Sequence, residues 1–145
     1  MIKGTQDRFD KGQKVSIVIC RLQDGESALE RHTGLVREIN GSSYLSFCET
    51  QPDGLTITHF LKIYHDRLEW VRCQNGVKSS VVFEAGKSVP FLFDSGCGYL
   101  DMTISTHSYI FEKAEKKEIN ICYSITQNDI KISEYETTIT FTGDP

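Results

Sequence analysis

The sequence predicts an all-β protein, a single antiparallel up-and-down barrel of about eight to ten strands, and three observations predict it. Tight-turn chemistry recurs along the chain at Asp24-Gly25, Asn40-Gly41, Asp53-Gly54, His65-Asp66, Asn75-Gly76, Ala85-Gly86, Ser95-Gly96-Cys97-Gly98 and Asn128-Asp129. Several are Asn-Gly or Asp-Gly pairs, which accept the positive φ that two-residue hairpins require. Between the turns lie segments of strand length whose apolar residues alternate with polar ones. So many strands in 145 residues must close or sandwich, because an open sheet would leave long unpaired edges. Short sequential connections favour a meander over Greek-key crossings.

Each element follows from the same pattern. Val15, Ile17 and Ile19 alternate with polar or smaller residues. Residues 27–34, SALERHTG, match a capping box with Ser27 and Glu30, yet the segment runs on through LVREI into Asn40-Gly41, so a strand is expected. The YLSFCE segment follows, and then Leu55, Ile57, Leu61 and Ile63 alternate with Thr56, Thr58 and Lys62. LEWVRC and SSVVFE come next, and Leu100, Met102 and Ile104 alternate with Asp101, Thr103 and Ser105. Residues 107–118, HSYIFEKAEKKE, place Glu112 and Lys116 at i, i+4 and are expected to form a long polar connection with one turn of helix. Ile119, Ile121, Tyr123 and Ile125 make one late strand, and Tyr135, Thr137, Ile139 and Phe141 make another.

Composition bounds the partners. Sixteen Lys and Arg against twenty Asp and Glu give a net charge of −4, with 39% hydrophobic residues and a mean hydropathy of −0.31. A chain of this length buries roughly two thirds of its unfolded surface, enough for one domain with its own core. Residues 1–13 are expected to be a flexible lead-in and residues 14–142 the barrel. Mild acidity without a basic stripe argues against nucleic acid, and no apolar run approaches the roughly 20 residues of a membrane span. Lys113, Lys116 and Lys117 interleave with Glu112, Glu115 and Glu118 as a solvated loop. Cys20, Cys48, Cys73, Cys97 and Cys122 are odd in number and contain no C-x-x-C pair, which excludes zinc-ribbon spacing. With no apolar leader in MIKGTQDRFDKGQK, free thiols in a reducing cytoplasm are expected. The Asn40-Gly41-Ser42 sequon then serves as a turn.

Few residues offer chemistry. Arg72 shares strand parity with Leu68 and Trp70, so it faces the interior if they do. A buried guanidinium must be paired or solvated; Glu49 is one expected partner, with His59 nearby in hairpin order. One reading makes Arg72 an interior anchor for an anionic headgroup, since its planar fork binds carboxylate bidentately. The other places it at the barrel mouth or on the exterior as an ordinary ion-pair partner. His32, His59, His65 and His107 include no i, i+2 or i, i+4 pair, so no metal site is expected. His59 is in phase with Ile57 and Leu61 and reads as a core-facing, hydrogen-bonded histidine. Cys97 between two glycines is the best nucleophile candidate, yet no His or Lys neighbours it to lower its pKa. No G-x-S-x-G elbow, P-loop or dinucleotide fingerprint is present, so neither catalysis nor a cofactor is expected. The aromatics Tyr44, Phe47, Phe60, Tyr64, Trp70, Phe83, Phe91 and Phe93 are expected mainly to fill the barrel.

In order along the chain, GLVREINGSSYLSFCET from Gly34 to Thr50, LTITHFLKI, LEWVRCQNG with Arg72, SSVVFEAGK, LDMTISTHSY with Thr106 and INICYSI with Tyr123 resemble the YwiB-like family of bacterial calycin-like β-barrels. The resemblance spans roughly residues 14–142 without a long insertion. It implies a barrel similar in architecture to lipocalins and fatty-acid-binding proteins, but no activity. Phe47-Cys48-Glu49 stands where the family pattern has a tyrosine followed closely by glutamate. Phe93 and Ser95 stand where it has tyrosine and proline. Fold analogy and the inward parity of Arg72 together point to a non-catalytic barrel holding a small, partly apolar ligand. Arg72, Glu49, His59, Thr106 and Tyr123 are the expected polar contacts. The alternative is a protein-interaction or structural module with a solidly packed barrel. An edge left by imperfect closure would also make a homodimer accessible.

Overall fold

The computed structural model describes residues 12–94 and 97–143. Ten strands follow one another: β1 (Gln13–Gln23), β2 (Glu26–Ile39), β3 (Ser42–Thr50), β4 (Thr56–Ile63), β5 (Arg67–Gln74), β6 (Val77–Glu84), β7 (Ser88–Asp94), β8 (Tyr99–Lys113), β9 (Lys117–Gln127) and β10 (Ile130–Gly143). They form one antiparallel sheet in the order β6-β5-β4-β3-β2-β1-β10-β9-β8-β7, so nearly every strand pairs with its chain neighbours and β1 closes on β10. This is the expected up-and-down meander, curled into a nearly closed barrel.

Turn chemistry sets the register. Asp24-Gly25, Asn40-Gly41, Asn75-Gly76 and Asn128-Asp129 each carry positive φ at both residues, the backbone of a type I′ hairpin whose twist matches that of its flanking strands. The ring stays open only between β6 and β7, which share no ladder among the described residues. Their connecting turn is held: Lys87 N–H donates to the Glu84 carbonyl at 3.0 Å, Gly86 N–H to Thr106 at 2.9 Å, and Thr106 N–H to Lys87 at 3.0 Å. Beyond that turn the two strands run without a shared ladder among the described residues.

Residues 107–118 form no helical turn. β8 runs to Lys113 and β9 starts at Lys117, leaving a short turn between. A bulge lies between Thr106 and Ser108, so the inward series passes from Ile104 and Thr106 to Tyr109 and Phe111, which pack against the core. One extra residue shifts side-chain parity, and the shift hides the strand from an alternation count. A second irregularity in β10, between Lys131 and Ser133, likewise leaves Ile130 and Ile132 exposed. The lead-in expected at residues 1–13 falls mostly outside the described residues, and pairing begins at Gln13.

The core fills one end of the barrel. Val15, Ile17, Ile19, Leu45, Leu61, Ile63, Leu68, Ile119, Ile121, Ile139 and Phe141 are all at most 2% exposed. Gly34 lets the strands close around them. A Cβ there would collide with the Ser46 carbonyl oxygen and lie 2.8 Å from Ile17 Cδ1 and 3.1 Å from Phe47 Cβ. Replacing a strand glycine by alanine ordinarily gains about 0.5–1 kcal/mol. Here Gly34→Ala is expected to lower the urea unfolding free energy by about 1–3 kcal/mol, the usual range for overpacking; a gain would show that the approach of β2 and β3 is not close.

Candidate functional site

Toward the other end the interior changes character strand by strand. On β1, Ile19 gives way to Arg21 and Gln23; on β3, Phe47 to Glu49; on β5, Leu68 to Trp70 and Arg72; on β9, Ile121 to Tyr123 and Ile125. These side chains, with Glu30, His59, Tyr135, Ser79, Val81 and Phe83 of β6 and Phe91 and Phe93 of β7, surround a cavity of about 470 Å³. β6 and β7, the two strands that share no ladder among the described residues, both contribute lining residues.

One wall is a circuit of polar and aromatic contacts across β1 to β5. Trp70 Nε1–H donates to His59 Nδ1 at 3.0 Å. An indole nitrogen can only donate, so Nδ1 carries a lone pair, the ring is neutral and its proton sits on Nε2. That proton is donated to Glu49 Oε1, 3.0 Å away. Phe47 stacks on His59 at 4.6 Å and 13° and on His32 at 4.5 Å and 29°. His32 Nε2 lies 3.2 Å from Glu30 Oε1, Glu30 pairs with Arg21, and the Arg21 guanidinium sits 5.9 Å from the Trp70 ring centroid. Burial is the main cause holding the His59 pKa below its ordinary value; the Arg72 and His32 charges push the same way, and the Glu49 carboxylate opposes them. The facing wall stacks Tyr123 on Tyr135 at 4.9 Å and 8°, with Phe83 at 4.8 Å from Tyr123. Burial raises the Tyr123 pKa.

Four of the five expected contacts, Arg72, Glu49, His59 and Tyr123, line this cavity. Thr106 does not. It is 3% exposed with a hydroxyl lacking a hydrogen-bond partner, and its backbone instead anchors the β6–β7 turn. Arg72 has the expected inward parity, directly across from His59, but its side chain is exposed at the mouth. The expected Arg72–Glu49 pair does not form: Glu49 is taken by His59, and Arg72 makes no ion pair among the described residues. Arg21, Glu30, His32 and the Trp70 contact were not anticipated. Parity offered a signal, since Arg21 is in phase with Ile17 and Ile19, and His32 lies opposite Ile17.

The expected filling of the barrel by aromatics holds only in part. Phe47 and Phe83 are buried, whereas Trp70, Phe91 and Phe93 line open space, and Tyr44 and Phe60 border an exterior groove with Leu35 and Ile39. The nucleophile candidate's turn includes Ser95 and Gly96, which lie outside the described residues. Among the described residues no three His, Cys, Asp or Glu side chains gather as metal ligands. Among the described residues no helix is long and apolar enough to cross a membrane.

A meander barrel packed at one end and hollow at the other defines the class: an all-β barrel with a lined interior cavity. Residues 14–139 match the family described as Domain of unknown function (DUF1934), and the chain belongs to that family. Its fold is similar to the crystal structure of ywiB protein from Bacillus subtilis, with a TM-score of 0.79 and 22% identity over 97% of this chain and 99% of that one. The YwiB-like resemblance is thereby borne out. No curated protein matches the chain.

The locked histidine has a pH consequence. In the folded state His59 resists protonation below its ordinary pKa of 6.5, whereas the unfolded chain takes the proton there. The stability this contributes is present above about pH 6.5, falls as pH drops through that value and levels off at the lower native pKa, at about 1.4 kcal/mol per unit of difference. Urea titrations between pH 7.5 and 5 are expected to show a steeper loss in the wild type than in His59→Gln. Parallel curves would show that His59 is not held neutral.

Proposed function

We propose that the protein is a non-catalytic carrier or sensor that binds a small, partly apolar ligand inside the barrel. The carrying observation is the cavity beside Arg72. Its volume of about 470 Å³ falls in the range of small-molecule sites, which combine apolar walls with a few placed polar groups. Arg72 has no ion pair among the described residues and so offers a guanidinium for an acidic group to satisfy. The absence of catalysis draws support from His59, whose two ring nitrogens are both engaged, so its imidazole is not free to act as a base. A reducing, cytoplasmic setting draws support from the free thiols of Cys20, Cys48, Cys73 and Cys122.

A second reading, an interaction module that can self-associate, draws on the outer face. Leu35, Ile39 and Phe60 are exposed around a groove of about 280 Å³, and β6 and β7 present edges that are unpaired among the described residues, of the kind that join other strands.

Native mass spectrometry of gently purified protein, with organic extraction of what co-purifies, separates the two readings. Interior binding is expected to give an adduct of small-molecule mass, lost in Arg72→Ala while the unfolding midpoint stays put. An apo mass and a concentration-dependent dimer would favour the interaction module.

A further inference from the structure

Granted interior binding, on which this rests, we propose that the ligand is a planar aromatic carboxylate that also carries an N–H or O–H donor. Three features of the cavity converge on that class. The first is shape. Ile19 and Ile121, both 1% exposed, are the next inward residues below Arg21 and Tyr123, so the packed core bars an extended aliphatic tail from running down the barrel axis. The remaining space is walled by the rings of Trp70, Phe83, Phe91, Tyr123 and Tyr135, which reward offset or edge-to-face ring contacts.

The second feature is charge. Arg21 and Glu30 neutralise each other, and His59 is neutral because Trp70 donates to its Nδ1. Two uncompensated charges therefore remain on the strands flanking β4: the cation of Arg72 on β5 and the anion of Glu49 on β3. A carboxylate on the ligand satisfies the planar fork of Arg72.

The third is the spare acceptor. One Glu49 oxygen accepts from His59, and the other makes no hydrogen bond among the described residues. It is held in place by the His59–Trp70 chain and, with the Glu49 side chain 37% exposed at the mouth, is open to a donor. A ligand with an acid alone would leave it facing an apolar ring, at a desolvation cost.

Calorimetric titration of the ligand-stripped full chain with four probes tests this: 6-hydroxy-2-naphthoate, 2-naphthoate, 6-hydroxy-2-naphthamide and decanoate. The hydroxy-acid is expected to bind tightest. Losing the acid charge, the hydroxyl or the rings is each expected to weaken binding by about tenfold or more, as befits charge-assisted hydrogen bonds and ring contacts. Arg72→Gln is expected to erase the gap between acid and amide, and Glu49→Gln the gap between hydroxylated and plain naphthoate. The wild-type ranking stands as a test even if either variant folds poorly. Equal affinity for acid and amide, or preference for decanoate, would overturn the ligand class while leaving interior binding intact. Binding of none of the four, with a co-purifying adduct present, would do the same; no binding and no adduct would remove both.

Discussion

A nearly closed ring of ten strands is too wide for its own side chains to fill from end to end. Small barrels of about eight strands can be packed solid, and wider ones leave room. Here the room is confined to one end. Aliphatic residues on β1, β3, β4, β5, β9 and β10 occupy the other end so completely that Leu61, Ile63, Leu68, Ile119 and Ile139 are fully buried. That plug holds the ring together, since the β6–β7 seam contributes no ladder of its own among the described residues. With one end secured, the opposite end can give up packing for polar groups and empty volume.

Those polar groups survive in the interior because they satisfy one another. His59, 5% exposed, has both nitrogens bonded, and Glu30 serves Arg21 and His32 together. Buried polar atoms are retained where they are hydrogen-bonded, and a connected network fixes the rotamers of its members. The network rests on stacked rings, with Phe47 between two imidazoles, so its geometry is set by apolar packing as much as by charge. What stays unsatisfied is correspondingly informative: the Arg72 guanidinium and one Glu49 oxygen, both at the mouth, where solvent or a ligand can reach them.

Much of this was legible in the sequence, for definite reasons. Four two-residue hairpins announced themselves as Asp-Gly, Asn-Gly or Asn-Asp, and the alternation of Val15, Ile17 and Ile19 or of Ile119, Ile121 and Tyr123 placed strand faces correctly. Parity alone put Arg72 and His59 on the inner side. It failed at residues 107–118, where the bulge at His107 shifts the inward series by one and the charged tip mimics a helical turn. It also could not foresee which polar side chains would meet. Glu49 bonds His59 rather than Arg72 because β4 lies between β3 and β5, a matter of sheet order. Thr106 faces inward as expected, yet it sits where the β6–β7 turn closes against β8 and so packs away from the cavity. The seam itself left no mark, since Ala85-Gly86 looks like any other hairpin turn.

The division of the interior into a plugged half and a hollow half is tested most directly by adding volume to each. Urea unfolding of Val81→Phe, at the cavity wall, and Ile119→Phe, in the plug, makes that comparison within one fold. Val81→Phe is expected to stay within about 0.5 kcal/mol of the wild type, because the ring enters open space, whereas Ile119→Phe is expected to cost about 1–3 kcal/mol by overpacking. Equal losses at both positions would mean that the barrel is packed throughout, and would contradict the account.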